Sequence, residues 1–212
     1  MASTRFDAFL PEAAPLVPGC PNPVIVNAVR NAAIEFCTET LAWQETQDAF
    51  SATSAEFPLT LDAPSGARVV QVVSMTVEGA PVDPVAEDLL DQTVPGWRTQ
   101  TGSGVLGFYQ PDDVTVSTYP LPETALTFRL RVAYSPTRAA SSMNADIAQR
   151  HMESIVAGAA ARLMDMPAQP WTNAVQAEVY RMRFGRAIHN LRVAVNKSRT
   201  RAELQVRMRR FA

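Results

Sequence analysis

The sequence predicts an α+β fold: a helical bundle with an inserted small antiparallel β-sandwich or barrel and an extended C-terminal tail. Apolar residues recur at helical spacing near both ends, whereas β-branched and alternating segments fill the middle. Sixteen prolines favour turns at the start and in the middle. We expect a proline-rich arm at 1–22, the bundle at 23–44 and 140–196, the β domain at 45–139 and a basic tail at 197–212.

The bundle is predicted to contain one N-terminal helix. This helix spans residues 24–43, because apolar residues recur there every three to five positions. We expect Asn22 to cap this helix and Pro23 to occupy its first turn. Cys37 lies within the helical pattern and is interpreted as a small apolar core residue. A disulfide between Cys37 and Cys20 is the alternative.

The β domain is predicted from short segments rich in β-branched residues and bounded by turns. The strongest strand pattern is Arg68–Val77, and Leu126–Tyr134 alternates apolar with polar and basic side chains. Two further strands are expected at Val105–Tyr109 and Val114–Tyr119. A turn at residues 110–113 joins them into a hairpin.

Two C-terminal helices complete the predicted bundle. We expect Asn144 to cap the first, in which the small residues at 158–161 allow close helix contact. After a proline-rich break, Thr172 is expected to cap a last helix that runs to about Asn196. One apolar arc of that helix is predicted to comprise Ala177, Tyr180, Phe184, Ile188, Leu191 and Val195.

The sequence contains no known catalytic, phosphate-binding or metalloprotease motif, so we expect no enzyme activity, no cofactor and no metal. His151 and His189 have no partner at metal-ligand spacing and are interpreted as structural or surface residues. The acidic residues of a short predicted helical turn at 87–92 are interpreted as a solvated face. Asp112 and Asp113 are interpreted as turn residues.

Charge is distributed unequally between the two ends of the chain. From Arg181 onward ten basic residues and one acid give +9, whereas the other nine basic and twenty acidic residues give −11. Like charges at this density repel unless a partner neutralises them. No apolar run reaches the roughly 20 residues of a membrane span, and the start lacks a signal-peptide pattern. We therefore expect a cytosolic product and no membrane partner.

The tail combines this charge with an alternating apolar pattern. Leu204, Val206 and Met208 alternate with polar residues, as in a strand that needs a sheet edge to pair with. We interpret the tail as a protein-docking segment; the alternative is a nucleic-acid-binding segment whose arginines contact phosphates. The predicted docking residues are Arg199, Arg201, Leu204, Val206, Arg207, Met208, Arg209, Arg210 and Phe211.

Six segments, in order, resemble the head-to-tail adaptor (connector) proteins of tailed bacteriophages, over residues 20 to about 195. The segments are Cys20–Pro23, Val29–Trp43, Glu56–Leu59, Ala67–Val72, Pro95–Arg98 and Ala157–Trp171. The resemblance implies a non-enzymatic structural protein of the virion, located in the neck between head and tail and made in the cytoplasm of the host bacterium.

The resemblance also implies a set of partners. In that family, copies form a ring, commonly of twelve, beneath the portal, and the C-terminal segment reaches into the portal. The other face receives a tail or nozzle protein. DNA passes through the central channel without sequence-specific binding. We therefore expect the chain to associate with itself, with a portal protein and with a tail protein.

Overall fold

The computed structural model describes residues 2–196, which contain five helices and twelve strands. The helices are α1 (Leu10–Ala13), α2 (Asn22–Thr40), α3 (Glu87–Thr93), α4 (Ala145–Met164) and α5 (Ala174–Asn196). The strands are β1 (Ser3–Arg5), β2 (Gln44–Thr46), β3 (Phe50–Ala52), β4 (Leu59–Thr60), β5 (Ala67–Val77), β6 (Ala80–Pro84), β7 (Thr101–Gly102), β8 (Gly107–Tyr109), β9 (Thr115–Tyr119), β10 (Leu121–Pro122), β11 (Leu126–Pro136) and β12 (Ser142–Asn144). The predicted α+β class is confirmed.

The chain divides into two compact units. The β unit comprises residues 43–144 together with the residues up to 3, and the helical unit comprises residues 4–42 and the residues from 145 onward. In sequence, the β unit is thus an insertion between α2 and α4. Each unit has its own buried apolar residues.

The β unit is built on two long antiparallel strands, β5 and β11. Eight strands form one curled mixed sheet in the order β2–β11–β5–β6–β8–β9–β4, and β3 also pairs with β11. Phe128, Leu130 and Val132 of β11 are buried, whereas Arg129 and Arg131 are exposed. The predicted alternation along this strand is therefore confirmed, as is the hairpin of β8 and β9.

The prediction that all strands pair antiparallel is wrong at two places. β6 pairs parallel with β8, and β10 pairs parallel with β7. Parallel neighbours need a long crossover connection, whereas antiparallel neighbours can be joined by a tight turn. Residues 85–106, which include α3, connect β6 to β8 and are long enough for such a crossover.

Helix α4 makes most of the contacts within the helical unit. It packs against α2 and α5, and α2 also contacts α5. Every residue from Ile155 to Met164 is buried except Arg162. A Cβ added to Gly158 would lie 2.8 Å from the ring of Phe184 in α5. The small residues of α4 thus permit close helix contact, as predicted.

The N-terminal segment also contributes to the core of the helical unit. Phe6 and Phe9 are 1% and 0% exposed, and α1 contacts both α2 and α4. The guanidinium of Arg30 lies 5.7 Å from the centroid of the Phe6 ring. These two phenylalanines were not recognised as core residues from the sequence, because no helical periodicity surrounds them.

Two predicted helix caps are wrong by one residue. Asn22 is the first residue of α2, and Pro21 occupies the cap position. At the start of α5, Asn173 caps the helix instead of Thr172, because its Oδ1 accepts a hydrogen bond of 3.1 Å from the backbone N–H of Gln176. Residue patterns locate a helix start only to within one or two positions.

The alternative of a disulfide is wrong, because Cys20 and Cys37 are both free thiols. Cys37 is fully buried in α2, as predicted for a core residue. Burial disfavours the thiolate and raises the pKa of Cys37 to about 12. The pKa of Cys20 is also raised by burial.

We predict that Cys37 does not react with thiol reagents in the folded protein. The variant Cys20→Ser leaves Cys37 as the only thiol, and its raised pKa of about 12 keeps the thiolate fraction negligible at pH 8. Titration with a chromogenic disulfide should give no signal until denaturant is added. The reciprocal variant Cys37→Ser reports Cys20 alone. Rapid labelling of the native Cys20→Ser protein would contradict the prediction.

We predict that Gly158→Ala destabilises the protein, whereas Gly185→Ala does not. The new methyl at position 158 would collide with the ring of Phe184, 2.8 Å away, at a cost of roughly 1–3 kcal/mol. Gly185 also lies in a helix but has open space around its Cβ position, so the same change should gain up to about 1 kcal/mol of helix propensity. Urea denaturation measures the free energy of unfolding of both variants. Equal stabilisation of the two variants would contradict the prediction, because it would show that the Phe184 ring moves aside without cost.

Candidate docking surfaces

The predicted docking residues, which span residues 199–211, lie outside the described part of the chain. The described part of the basic end is α5. This helix carries four of the ten basic residues of that end: Arg181, Arg183, Arg186 and Arg192. The surface that α5 presents is therefore the part of the predicted docking end whose geometry the structure provides.

Helix α5 buries little of its length. Among its residues up to 195, only Ala177 and Phe184 are buried. Val175 and Met182 are 75% and 56% exposed. The other members of the predicted apolar arc are half-buried: Tyr180, Ile188, Leu191 and Val195. Uncovered apolar surface of this kind on a folded protein typically marks an interaction site.

The first two arginines of α5 have partners within the helical unit. Arg181 forms an ion pair of 3.0 Å with Asp165 and a second ion pair with Glu178. Arg183 places its guanidinium 5.4 Å from the centroid of the Tyr180 ring. All of these groups are exposed or half-exposed, so each contact contributes little to stability.

Arg186 and Arg192 are exposed, and neither forms an ion pair with any residue of 2–196. Arg162 of α4 provides a contrast, because it forms an ion pair with Glu35 and donates a hydrogen bond of 3.0 Å to the carbonyl of Gly158. The second half of α5 therefore presents two positive charges that no ion pair within residues 2–196 neutralises.

A second candidate surface lies between the two ends of the curled sheet. Strands β2 and β3 lie beyond β11 at one end of the strand order, and β4 lies at the other end. All three nevertheless line one groove of about 590 Å³. The hydroxyl of Tyr134 bridges the groove at one point, since it donates to the carbonyl of Asp62 at 3.1 Å and lies 3.3 Å from the Gln47 side-chain nitrogen.

The groove is acidic. Its lining includes Glu45, Asp48 and Asp62 but no lysine or arginine of the described chain. Burial raises the pKa of the Tyr134 hydroxyl, and the negative charges of Glu45 and Asp62 raise it further, against a lowering hydrogen bond from Gln47. Burial is the largest of these causes, and the carboxylates of Glu45 and Asp62 act in the same direction. The sequence did not reveal the groove, because it depends on how the sheet curls.

The acidic turn at 87–92 is exposed, but it is paired rather than simply solvated. Arg98 donates to Asp91 at 2.5 Å and to Glu87 at 3.5 Å, and it lies 4.5 Å from the centroid of Trp97. The indole N–H of Trp97 donates to Asp91 at 2.8 Å. The hydrogen bonds from Arg98 first, and then from Trp97, lower the pKa of Asp91. These contacts anchor the loop that carries the tryptophan.

Two further residues singled out from the sequence, His151 and Asp112, make contacts within the fold. His151 lies at a kink in α4, with its ring centroid 5.1 Å from that of Phe36. Asp112 closes its turn by accepting hydrogen bonds from the backbone N–H groups of Val114 and Thr115, at 2.8 and 2.7 Å. Within residues 2–196, no group of three or more potential ligands is placed to hold a metal ion. No described helix has the length and apolar character of a membrane span.

A family model described as SU10 adaptor protein matches residues 4–210. The chain belongs to the SU10 adaptor family. Because this is a family of phage head-to-tail adaptors, the resemblance of the six sequence segments is confirmed. The match also extends beyond those segments in both directions, into the N-terminal segment and the basic tail. No curated protein matches the adaptor.

Family membership identifies the adaptor as a structural protein of the phage virion. Adaptors of this kind associate with portal and tail proteins, and the family is structural rather than catalytic. The exposed side chains Val175 and Met182 of α5 and the acidic groove of the β unit are therefore the candidate surfaces for a protein partner.

We predict that neutralising Arg186 and Arg192 leaves the fold intact. The double variant Arg186→Gln, Arg192→Gln removes two exposed charges without ion pairs among residues 2–196, so the free energy of unfolding should change by less than about 0.5 kcal/mol. Arg162→Gln, the matched control, loses its contacts to Glu35 and Gly158 and should cost roughly 1–2 kcal/mol. Urea denaturation of both variants is the measurement, and a large loss in the double variant would contradict the prediction.

Proposed function

We propose that the adaptor forms a ring of identical copies, commonly twelve, that joins the portal to the tail in the neck of the virion. The ring surrounds part of the DNA channel, and each copy docks on the portal through its basic tail. The opposite face receives a tail or nozzle protein. The observation that carries the proposal is the family match over residues 4–210, in a chain whose basic residues are concentrated after residue 180.

The nine docking residues lie between positions 199 and 211, which follow α5 in the chain. Helix α5, which leads into this set, exposes Val175 and Met182 and carries two arginines that have no ion pair among the described residues. Leu204, Val206 and Met208 would each contribute about 1.5–3 kcal/mol if fully buried on the portal. Addition of the segment to a sheet edge would also satisfy its backbone hydrogen-bonding groups.

Ring symmetry strengthens a joint made of weak contacts. Tails carried on one ring bind one portal together, so each further tail binds at a high effective concentration set by its short tether. Modest contacts from individual tails then add up to a lasting attachment. Residues 1–180 carry a net charge of −11, so this part of the chain repels rather than retains the phosphates of DNA passing through the channel.

We predict that deletion of residues 197–212 prevents attachment of the adaptor to portal-bearing heads. The deletion removes six basic residues and the three alternating apolar ones. Co-sedimentation of purified adaptor with heads measures attachment. The variant Leu204→Ser, Val206→Ser, Met208→Ser removes the apolar face, and Arg207→Gln, Arg209→Gln, Arg210→Gln removes the adjacent charge. Both should weaken attachment; normal attachment of the deletion variant would overturn tail docking.

The alternative function, nucleic-acid binding through the same arginines, gives a different result. A DNA clamp would be retained on DNA with an affinity that falls steeply with salt, in proportion to the number of phosphates contacted. The docking proposal predicts that the protein is only weakly retained on DNA at physiological salt. It also predicts that loss of Leu204, Val206 and Met208 alone impairs attachment to heads.

A further inference from the structure

We propose that the acidic groove of the β unit is a docking site for an extended, cationic segment of the tail-side protein, which enters the curled sheet as an added strand. The tail-side protein is the tail or nozzle protein of the proposed function. Every residue that lines the groove belongs to the β unit. The choice of this partner rests on the proposed function, because that function assigns the adaptor's own basic end to the portal.

The groove is bordered by two strand edges that no described strand covers. Among the described strands, β2 pairs only with β11, and β4 pairs only with β9. Since β2 and β4 do not pair with each other, they lie farther apart than the separation of about 4.8 Å between hydrogen-bonded neighbours. Free backbone groups on such edges recruit strands from other chains, so the groove offers a place for one more strand.

The free backbone groups on both edges belong to threonines that line the groove. The backbone N–H of Gln47, just after β2, bonds to β11. The N–H of Leu61, just after β4, bonds to the carbonyl of Val114, just before β9. Because hydrogen-bonded positions alternate along an antiparallel strand, the backbone groups of Thr46 and Thr60 point away from β11 and β9. Both threonines are exposed and line the groove, so an added strand can pair with each edge.

Side chains hold the two edges in place relative to each other. The Gln47 side-chain nitrogen donates to the Tyr134 hydroxyl at 3.3 Å and lies 3.5 Å from the carbonyl of Asp62. The Tyr134 hydroxyl donates to the same carbonyl at 3.1 Å. These bonds link the residue after β2 to the segment after β4. A site fixed in this way before its partner arrives loses less conformational entropy on binding.

Charge indicates which kind of segment fits. Glu45, Asp48 and Asp62 line the groove, and none of them forms an ion pair with any residue of 2–196. These carboxylates are not grouped as metal ligands, because no set of three or more potential ligands in the described chain could hold a metal ion. A negative groove repels nucleic acid, whereas the spaced cations of an extended peptide neutralise it.

The lining also contains apolar side chains. Leu130 is 1% exposed, and Phe50 and Leu59 are half-buried, whereas Asp48 and Asp62 are exposed. The apolar side chains therefore form the deeper part of the lining, and the carboxylates form its accessible part. Successive side chains of a strand point to opposite faces. The segment that fits this groove alternates apolar side chains with lysine or arginine.

Binding of a synthetic peptide to the full-length adaptor tests the site. The probe is a fluorescent seven-residue peptide that alternates lysine with valine or leucine, and fluorescence anisotropy measures its affinity. The variant Asp48→Asn, Asp62→Asn removes two exposed carboxylates of the lining and should weaken binding about fivefold to tenfold. The matched control Asp88→Asn, Asp113→Asn removes two exposed carboxylates outside the lining and should change binding by less than about twofold.

A second peptide tests strand addition. N-methyl groups on alternate backbone nitrogens keep its charges and side chains but remove backbone donors, so it should bind at least about tenfold more weakly than the probe. Equal binding of the two peptides would overturn strand addition, and equal weakening by the two double variants would overturn the groove as the site. Tighter binding of the probe to an adaptor that lacks residues 197–212 would also overturn the proposal, because the adaptor's own segment would then compete for the groove.

An assembly assay identifies the partner and separates this inference from the proposed function. Adaptor with Asp48→Asn, Asp62→Asn should attach normally to portal-bearing heads, and phage tails should then join these heads with a yield reduced about fivefold or more. Normal joining of phage tails, or loss of attachment to heads, would overturn the assignment of the groove to the tail-side protein. Attachment that survives deletion of residues 197–212 would overturn docking through the basic tail alone, because neither peptide binding nor the joining of phage tails measures it.

Discussion

The close approach of Gly158 to the ring of Phe184 is the contact on which the helical unit depends. Ten consecutive positions of α4, apart from Arg162, are buried, and a helix buried on so much of its circumference must carry small residues where its neighbours come nearest. Phe184 fills the space that glycine leaves. Because α5 buries only this residue and Ala177 among its described side chains, the same contact holds a helix whose remaining surface stays available.

The arginines of the folded body and those near the end of α5 differ in their contacts. Arg162 and Arg98 are tied into the fold by carboxylates and aromatic rings, whereas Arg186 and Arg192 have no ion pair among residues 2–196. The charges of Arg186 and Arg192 are exposed and are therefore open to solvent or to a partner.

The sequence predicted the long elements of the fold and missed features that depend on tertiary geometry. Strands β5 and β11 and the helices α2, α4 and α5 were found because each repeats its periodicity over many residues. The parallel pairing of β8 was missed, because a three-residue strand carries no sign of its partner. Phe6 and Phe9 were missed because short helical turns have no period to recognise.

The two candidate surfaces also differ in whether the sequence alone could predict them. The basic end could be predicted from counting charges, which requires no structure, and the family match supports a role for it without placing its residues. The groove could not be predicted, because its acidic residues are spread over positions 45–62 and come together only when β2, β3 and β4 meet across the curl of the sheet. Such a site is a property of topology, not of any local motif.

The sparse burial of α5 has a consequence for its dynamics. Beyond Phe184, no described side chain of this helix is buried, so its last turns are held by local backbone hydrogen bonds with little tertiary support. Segments of this kind open at low free energy, and their amide hydrogens exchange rapidly with solvent. Burial against a neighbour would slow that exchange by orders of magnitude, so hydrogen exchange at the end of α5 would report whether a partner covers this helix.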